Sequence, residues 1–352
     1  MNMKVLTIDG PGKISYRQLE IPELSKNDVL VKVAYAGICG TDISFYTGDT
    51  SFVREGLVEY PVRIGHEWSG VVEKKGDNVT LFKNGDRVIS DSGVVCGICE
   101  GCIRGDWDKC SNIKSLGTIN AFDGAFAEYI VFPERHLHKL ADNVTLKQAA
   151  LIEPASTALA GLKKISITPE KTIAIIGTGP IGLAAIPFAK AFGASKVIMI
   201  GRRDDKLQIA KKLGADVCIN INREDLYTSF DKATNNIGAD LVLETSGAQE
   251  TINHCIKIAA RKGTIALIGF YETDSLPLNI DPLVFKELSL TGVMGEFGLI
   301  EETANMISNK NIDLSPLITN VFTFDEASNA IMEAKSFNER VKSLVHINQD
   351  LI

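Results

Sequence analysis

Four cysteines fall within fifteen residues, as Cys96-x2-Cys99-x2-Cys102-x7-Cys110. Spacings this short let four thiolates converge on one tetrahedral ion. An all-cysteine site keeps no open position, so a zinc held there is structural. The chain has seven cysteines, an odd number, and its opening MNMKVLTIDG lacks the apolar core of a secretory signal. A disulfide framework therefore does not account for the cluster.

A second set of donors is dispersed. Cys39 lies in Gly37-Ile-Cys-Gly-Thr-Asp42, His66 and Glu67 in Gly65-His-Glu-Trp-Ser-Gly70, and Glu153 in Leu151-Ile-Glu-Pro154. A thiolate, an imidazole and a carboxylate are the mixed donors of a catalytic zinc, whose fourth position is left to water or substrate. Spacing alone leaves open whether these residues meet.

A third signal is Gly177-Thr-Gly-Pro-Ile-Gly182, a G-x-G-x-x-G comprising Gly177, Gly179, Pro180, Ile181 and Gly182. Glycines at these offsets allow a tight turn and let the backbone approach a pyrophosphate at a helix N-terminus. An NAD site of this kind wants a carboxylate about 20 residues further on, to accept from the ribose hydroxyls. Here Gly201 stands at that point, followed by Arg202 and Arg203. A missing carboxylate and two guanidiniums favour the 2′-phosphate of NADP. The alternative is NAD, with an arginine stacked on its adenine.

These residues need elements to place them. Short apolar runs at 29–34, 70–73, 87–89 and 128–131, separated by Gly/Asp/Asn turns, predict a β-rich first domain. From about Leu151 the pattern changes. Strands at 172–176, 196–200, 240–243 and 264–268 alternate with helices ending at 192 and spanning 205–213 and 250–260. That alternation predicts a doubly wound parallel sheet, giving an α/β protein. Pro187 falls inside the first of these helices and is expected to bend it. A helix at 324–335 and a last strand follow. The length of 352 residues suits two domains. A net charge of −7 argues against nucleic acid or an anionic membrane surface as a partner. The uncharged run 172–189 contains three glycines and two prolines, so it reads as a turn-broken strand and helix rather than a membrane span. The expectation is a soluble, cytoplasmic protein.

Taken in order, Gly-Ile-Cys-Gly-Thr-Asp, Gly-His-Glu, the four-cysteine run, Glu-Pro and the glycine loop resemble the zinc-dependent medium-chain alcohol dehydrogenases over essentially the whole chain. Glu153 resembles the sorbitol and polyol branch, and Cys39–Tyr46 with His66–Gly70 is similar to cyclitol-type enzymes. The resemblance implies a GroES-like β-rich catalytic domain, at 1–153 and 297–352, around a Rossmann domain at 154–296. It implies one catalytic and one structural zinc per chain. Cys39 and His66 would be ligands, with Glu67 or Glu153 as the carboxylate and Asp42 orienting His66. Thr41 would take the substrate proton, and Ser44 stands where relatives often carry a relay histidine. Ser246, Gly269, Phe270, Val293 and Met294 would lie near the nicotinamide, and Lys342 on the pyrophosphate. The implied substrate is a secondary hydroxyl of a polyol, sugar alcohol or cyclitol, and the implied assembly a homodimer or homotetramer. Alternatives are a threonine or butanediol dehydrogenase and, from another class, a non-catalytic zinc- and nucleotide-binding protein.

Overall fold

The computed structural model describes residues 2–295, 298–334 and 340–351, and the side chain of Asp108 is also outside the description. The chain forms two compact units. One comprises Met1–Glu153, Ile300–Ser308 and Ile318–Ile352, the other Pro154–Leu299 and Asn309–Leu317. Positions 296 and 297, where the domain boundary was expected, lie outside the described residues.

In the first unit the long strand Asp28–Ile38 is the organiser. Val29, Val31 and Val33 are buried while Asp28, Leu30 and Lys32 are only half-buried, and from Val33 on the whole strand is buried, a period-two pattern at the start that gives way to full cover. Trp68–Lys75 and Tyr129–Pro133 pair with it antiparallel. Arg87–Ser90 and Leu137–Lys139 extend the sheet beyond Trp68–Lys75. On the other side lies Lys342–His346, with Ser343 opposite Ile38, and then Ile318–Thr323. A β-rich unit was expected. The N-terminal hairpin of Asn2–Gly10 with Lys13–Glu20 was not, because its second strand is mostly polar, with only Ile14, Tyr16 and Leu19 apolar.

The second unit is a six-stranded parallel sheet in the order Val217–Asn220, Lys196–Gly201, Thr172–Ile176, Ala239–Glu244, Ala259–Leu267, Ser289–Gly292. This is the doubly wound Rossmann order, and it reverses between Thr172–Ile176 and Ala239–Glu244. Ligands of such sheets bind at the carboxyl ends of the strands flanking that reversal. The helix Pro180–Ala191 starts on Pro180 in its first turn and runs on through Pro187; proline at the first position costs no hydrogen bond. The helix expected at 324–335 is a 3₁₀ turn, Phe324–Glu326, started by a Thr323/Glu326 capping box, followed by Ala327–Met332. Its expected end, Lys335, lies outside the described residues. Among the described residues no helix is long and apolar enough to cross a membrane.

Candidate metal centres and dinucleotide pocket

The four-cysteine loop of the first unit brings its sulfurs together. Cys96 Sγ lies 3.9 Å from Cys102 Sγ and 3.6 Å from Cys110 Sγ, and Cys99 Sγ lies 3.5 Å from Cys102 Sγ. A tetrahedron with zinc–sulfur bonds of ~2.3 Å has edges of about 3.8 Å, whereas a disulfide needs ~2.05 Å. The donor set therefore fits zinc. Backbone N–H groups point at the sulfurs: Cys96 N donates to Cys110 Sγ at 3.4 Å, and Gly97 N to Cys102 Sγ at 3.3 Å. Amides of Cys102 and Ser111 lower the Cys99 thiol to about 6, favouring the thiolate that a metal requires. The turn Glu134–His136 holds the entry to this loop. His136 Nε2 accepts from Val95 N at 3.2 Å and Arg135 donates to Val95 O at 2.7 Å. Because Nε2 accepts, the proton of His136 is on Nδ1, which donates to buried Asp91 at 3.1 Å. Sequence reasoning missed this trio, since its three members are joined only by pairing of the sheet.

The second donor set assembles at the end of strand Asp28–Ile38. Cys39 is the N-cap of helix Gly40–Thr47, and its backbone N–H donates to Asp42 Oδ2 at 2.8 Å in a capping box. This fixes the sulfur at a helix N-terminus. His66 and Glu67 lead into strand Trp68–Lys75, which pairs with Asp28–Ile38, so sheet pairing delivers them to Cys39. Donor atoms of Cys39, His66 and Glu67 lie within 4.8 Å of one another. Glu67 packs against Gly37 so closely that any Cβ there would strike its carboxylate. Glu153 falls outside this group, yet its charge reaches His66.

The electrostatics of the set fit a cation. Burial disfavours a charged His66, but the neighbouring Cys39, Asp42 and Glu153 raise its pKa well above the ordinary value. Burial likewise pushes Asp42 up to about 6 and Glu153 up to about 7, against the pull of His66 on both. Buried His66 Nδ1 and Asp42 Oδ1 have no hydrogen-bond partner among the described residues. Several acidic donors crowded around one imidazole carry the excess negative charge that a divalent ion neutralises. Thr41 Oγ1 lies 3.7 Å from Cys39 Sγ, and Ser44 follows three residues later in the same helix, the spacing that places two side chains on one face.

Lys342 corrects an expectation. Its ammonium is buried and sits 2.7 Å from both oxygens of Glu67. It is committed to that carboxylate, not presented to a pyrophosphate. The cause is the register of Ser343 opposite Ile38, which places Lys342 beside the strand end that carries Cys39.

In the second unit a cavity of about 330 Å³ opens at the sheet's reversal point. Gly177, Gly179, Gly201, Arg202 and Arg203 line it, as does Ser246, which the family resemblance placed near the nicotinamide. Pro180, Ile181 and Gly182 form the first helical turn beneath it. A Cβ on Gly182 would strike the Gly177 carbonyl, which explains the third glycine. Gly269 packs on Gly247, while Phe270 and Met294 are exposed and Val293 bonds to Leu267; none of these four lines the cavity. Arg203 is held by Asp205 through two bonds of 3.1 and 2.7 Å. Sequence reasoning missed Thr245, whose Oγ1 donates to Ile176 O at 2.9 Å and thereby pins the glycine loop to the fourth strand. It also missed Thr178, Lys206, Glu250, Thr251 and His254 on the cavity wall. Glu250, Thr251 and His254 gave a weak signal because positions after the fourth strand carry no fixed motif, and Thr178 and Lys206 because neither is a fixed position of the glycine motif.

Residues 25–142 match the GroES-like domain of alcohol dehydrogenases, and residues 180–309 match the zinc-binding dehydrogenase family. The chain belongs to the zinc-dependent medium-chain dehydrogenase/reductase family. It is 32% identical to a sorbitol dehydrogenase of Bacillus subtilis over 99% of this chain and 98% of that one. It is 36% identical to an L-threonine 3-dehydrogenase of the same organism over 90% and 91%. A solved Escherichia coli oxidoreductase/dehydrogenase of unknown specificity, described as involved in membrane biogenesis, superposes with a TM-score of 0.91. It is 28% identical, over 99% of this chain and 100% of that one. As a member of this family the chain is a zinc-dependent oxidoreductase of CH–OH groups that uses NAD(P).

Proposed function

We propose that the protein oxidises a secondary hydroxyl of a polyol, sugar alcohol or cyclitol to the ketone, reversibly, with NADP preferred over NAD. The observation that carries this reading is the convergence of Cys39, His66 and Glu67 within 4.8 Å, with the Thr41 hydroxyl beside the sulfur. When bound by these three residues, zinc acts as a Lewis acid that makes a substrate hydroxyl acidic near neutral pH. Thr41 accepts that proton and Ser44, one helical turn on, passes it outward. Asp42 holds the backbone N–H of Cys39 and acts on His66 through its charge. Lys342 uses two of the roughly four lone-pair sites of Glu67, leaving the others for the metal. The glycine loop holds the dinucleotide, and the nicotinamide supplies the hydride acceptor.

A carboxylate among the donors, a second carboxylate in Glu153 and a serine relay give the site polar partners for a substrate with several hydroxyls. For the cofactor, Gly201 offers no carboxylate to a ribose, and Arg202, Arg203 and Lys206 line the same wall. The Arg203–Asp205 pair is exposed, worth ~0–1 kcal/mol, so a 2′-phosphate competes for the guanidinium on favourable terms. The assembly we infer is a homodimer or homotetramer. In its support, Ser289–Gly292 is an open sheet edge with exposed Val284, Phe285 and Leu290 nearby. Light scattering reads the assembly directly.

The functional test is an activity panel of polyols, polyol phosphates and cyclitols against L-threonine and butanediols, run with both dinucleotides. Turnover of polyols or cyclitols in preference to the others is expected. Preference for L-threonine or a butanediol overturns the substrate class, and no turnover of any alcohol with bound zinc overturns the enzymatic reading.

A further inference from the structure

The cavity wall farthest in sequence from the glycine loop contains an imidazole that no motif foretold. His254 lies on helix Thr251–Ile258 and lines the same cavity as Gly201 and Arg202, the positions that follow the second strand. In a Rossmann unit that strand end meets the adenosine ribose. Apolar Ile200, Ile221 and Leu226 line the cavity as well, so an adenine has hydrophobic cover for its faces and needs a polar partner at its edge.

The polarity of the ring follows from its neighbours. Tyr227, on helix Leu226–Thr234, places its hydroxyl 2.9 Å from His254 Nδ1, and that hydroxyl has no other acceptor among the described residues. Burial raises the Tyr227 pKa, so the phenol keeps its proton and donates it to Nδ1. Burial also lowers the His254 pKa; Lys257 adds to this and Glu250 opposes it. The Lys257 ammonium stands 3.3 Å from the centre of the Tyr227 ring, where a second positive charge is unwelcome. The imidazole is thus neutral, Nδ1 accepts, and Nε2 carries the hydrogen.

We propose that His254 is an adenosine-binding residue of the dinucleotide pocket, fixed by Tyr227 as a neutral Nε2–H donor to an acceptor of the adenine or its ribose. This rests on the dinucleotide reading above and adds a contact shared by NAD and NADP, independent of the 2′-phosphate. The role of Tyr227 is to set the tautomer.

Direct calorimetric titration of the zinc-loaded protein with NAD, NADP and ADP-ribose tests the assignment. One neutral hydrogen bond is worth ~0.5–1.5 kcal/mol, about two- to tenfold in affinity. His254→Phe should weaken all three ligands by the same factor within that range. His254→Gln, whose amide retains a donor, should recover most of the affinity, and Tyr227→Phe should lose part of it. His254→Asn, too short to reach, replaces the phenylalanine variant if that one does not fold. Unchanged affinity in a folded His254→Phe or His254→Asn overturns the proposal, and so does a loss confined to NADP. Failure of the unmodified chain to bind any of the three ligands would instead overturn the dinucleotide reading itself.

Discussion

The Lys342 ammonium lies equidistant, at 2.7 Å, from both oxygens of Glu67, and neither side chain reaches solvent. Two buried charges of this kind are tolerable only together. Removing one partner leaves the other desolvated and uncompensated, at a cost of ~3–5 kcal/mol. Lys342→Met should therefore destabilise the protein by about that amount in urea unfolding. Adding Glu67→Gln should return much of it, a coupling that a double-mutant cycle measures directly. Additive effects of the two substitutions would show that the pair contributes no coupling energy.

The four-cysteine loop should hold one of two zinc ions per chain. Cys99→Ser should reduce elemental zinc from two to one and lower the melting temperature, because closing this loop depends on its metal. An unmodified protein that melts at the same temperature with and without chelator would contradict the structural role.

His66→Ala should abolish turnover while leaving dinucleotide affinity intact, since the glycine loop belongs to the other unit. Thr41→Ala should slow turnover by roughly 10²–10⁴-fold, the scale of a positioned proton-transfer group. Stopped-flow rates with saturating substrate give both values. Full turnover in His66→Ala would rule out the metal mechanism.

Cofactor choice is read by titrating both dinucleotides, and NADP should bind more tightly. Arg203→Ala should weaken NADP by roughly tenfold, the value of a charge-assisted hydrogen bond, and NAD little. Gly201→Asp should favour NAD, but a Cβ at Gly201 lies 2.5 Å from Thr178 Cγ2. The reversal should accordingly be complete only when Thr178→Ser makes room. A lower dissociation constant for NAD in the unmodified chain would contradict the preference.

Asp91 makes stability depend on pH. Burial pushes its pKa up, but hydrogen bonds from His136 and His138 prevail and hold it below the ordinary value. A depressed carboxylate contributes stability that is whole above its unfolded value near ~3.9 and is lost as pH falls through the folded one. The stability gap between the unmodified protein and Asp91→Asn should therefore be constant at neutral pH and shrink below about pH 4. Urea midpoints across that range test the sign.

Much of this was legible in the residues. Cys96 to Cys110 are close in sequence, so spacing alone located a metal loop. The run 172–176 and its glycines marked the strand and the start of the helix after it to the residue, because the turn needs glycine locally. What stayed hidden depends on pairing between distant strands. Nothing in the sequence near Lys342 says that it faces Glu67; only the Ser343–Ile38 register does. His254 was invisible because its partner, Tyr227, lies on another helix that only the fold brings beside it. Expectations near the nicotinamide, such as Phe270 and Met294, came by resemblance and fall outside the cavity wall.

The strand register at Ser343 also orders events in time. Glu67 leaves the ribosome 275 residues before the lysine that neutralises it, which follows the entire parallel sheet. Until then Glu67 lacks its ammonium, and the first unit lacks a strand beside Asp28–Ile38. A chain halted between Leu317 and Lys342 has every residue of the second unit but lacks the ammonium beside Glu67.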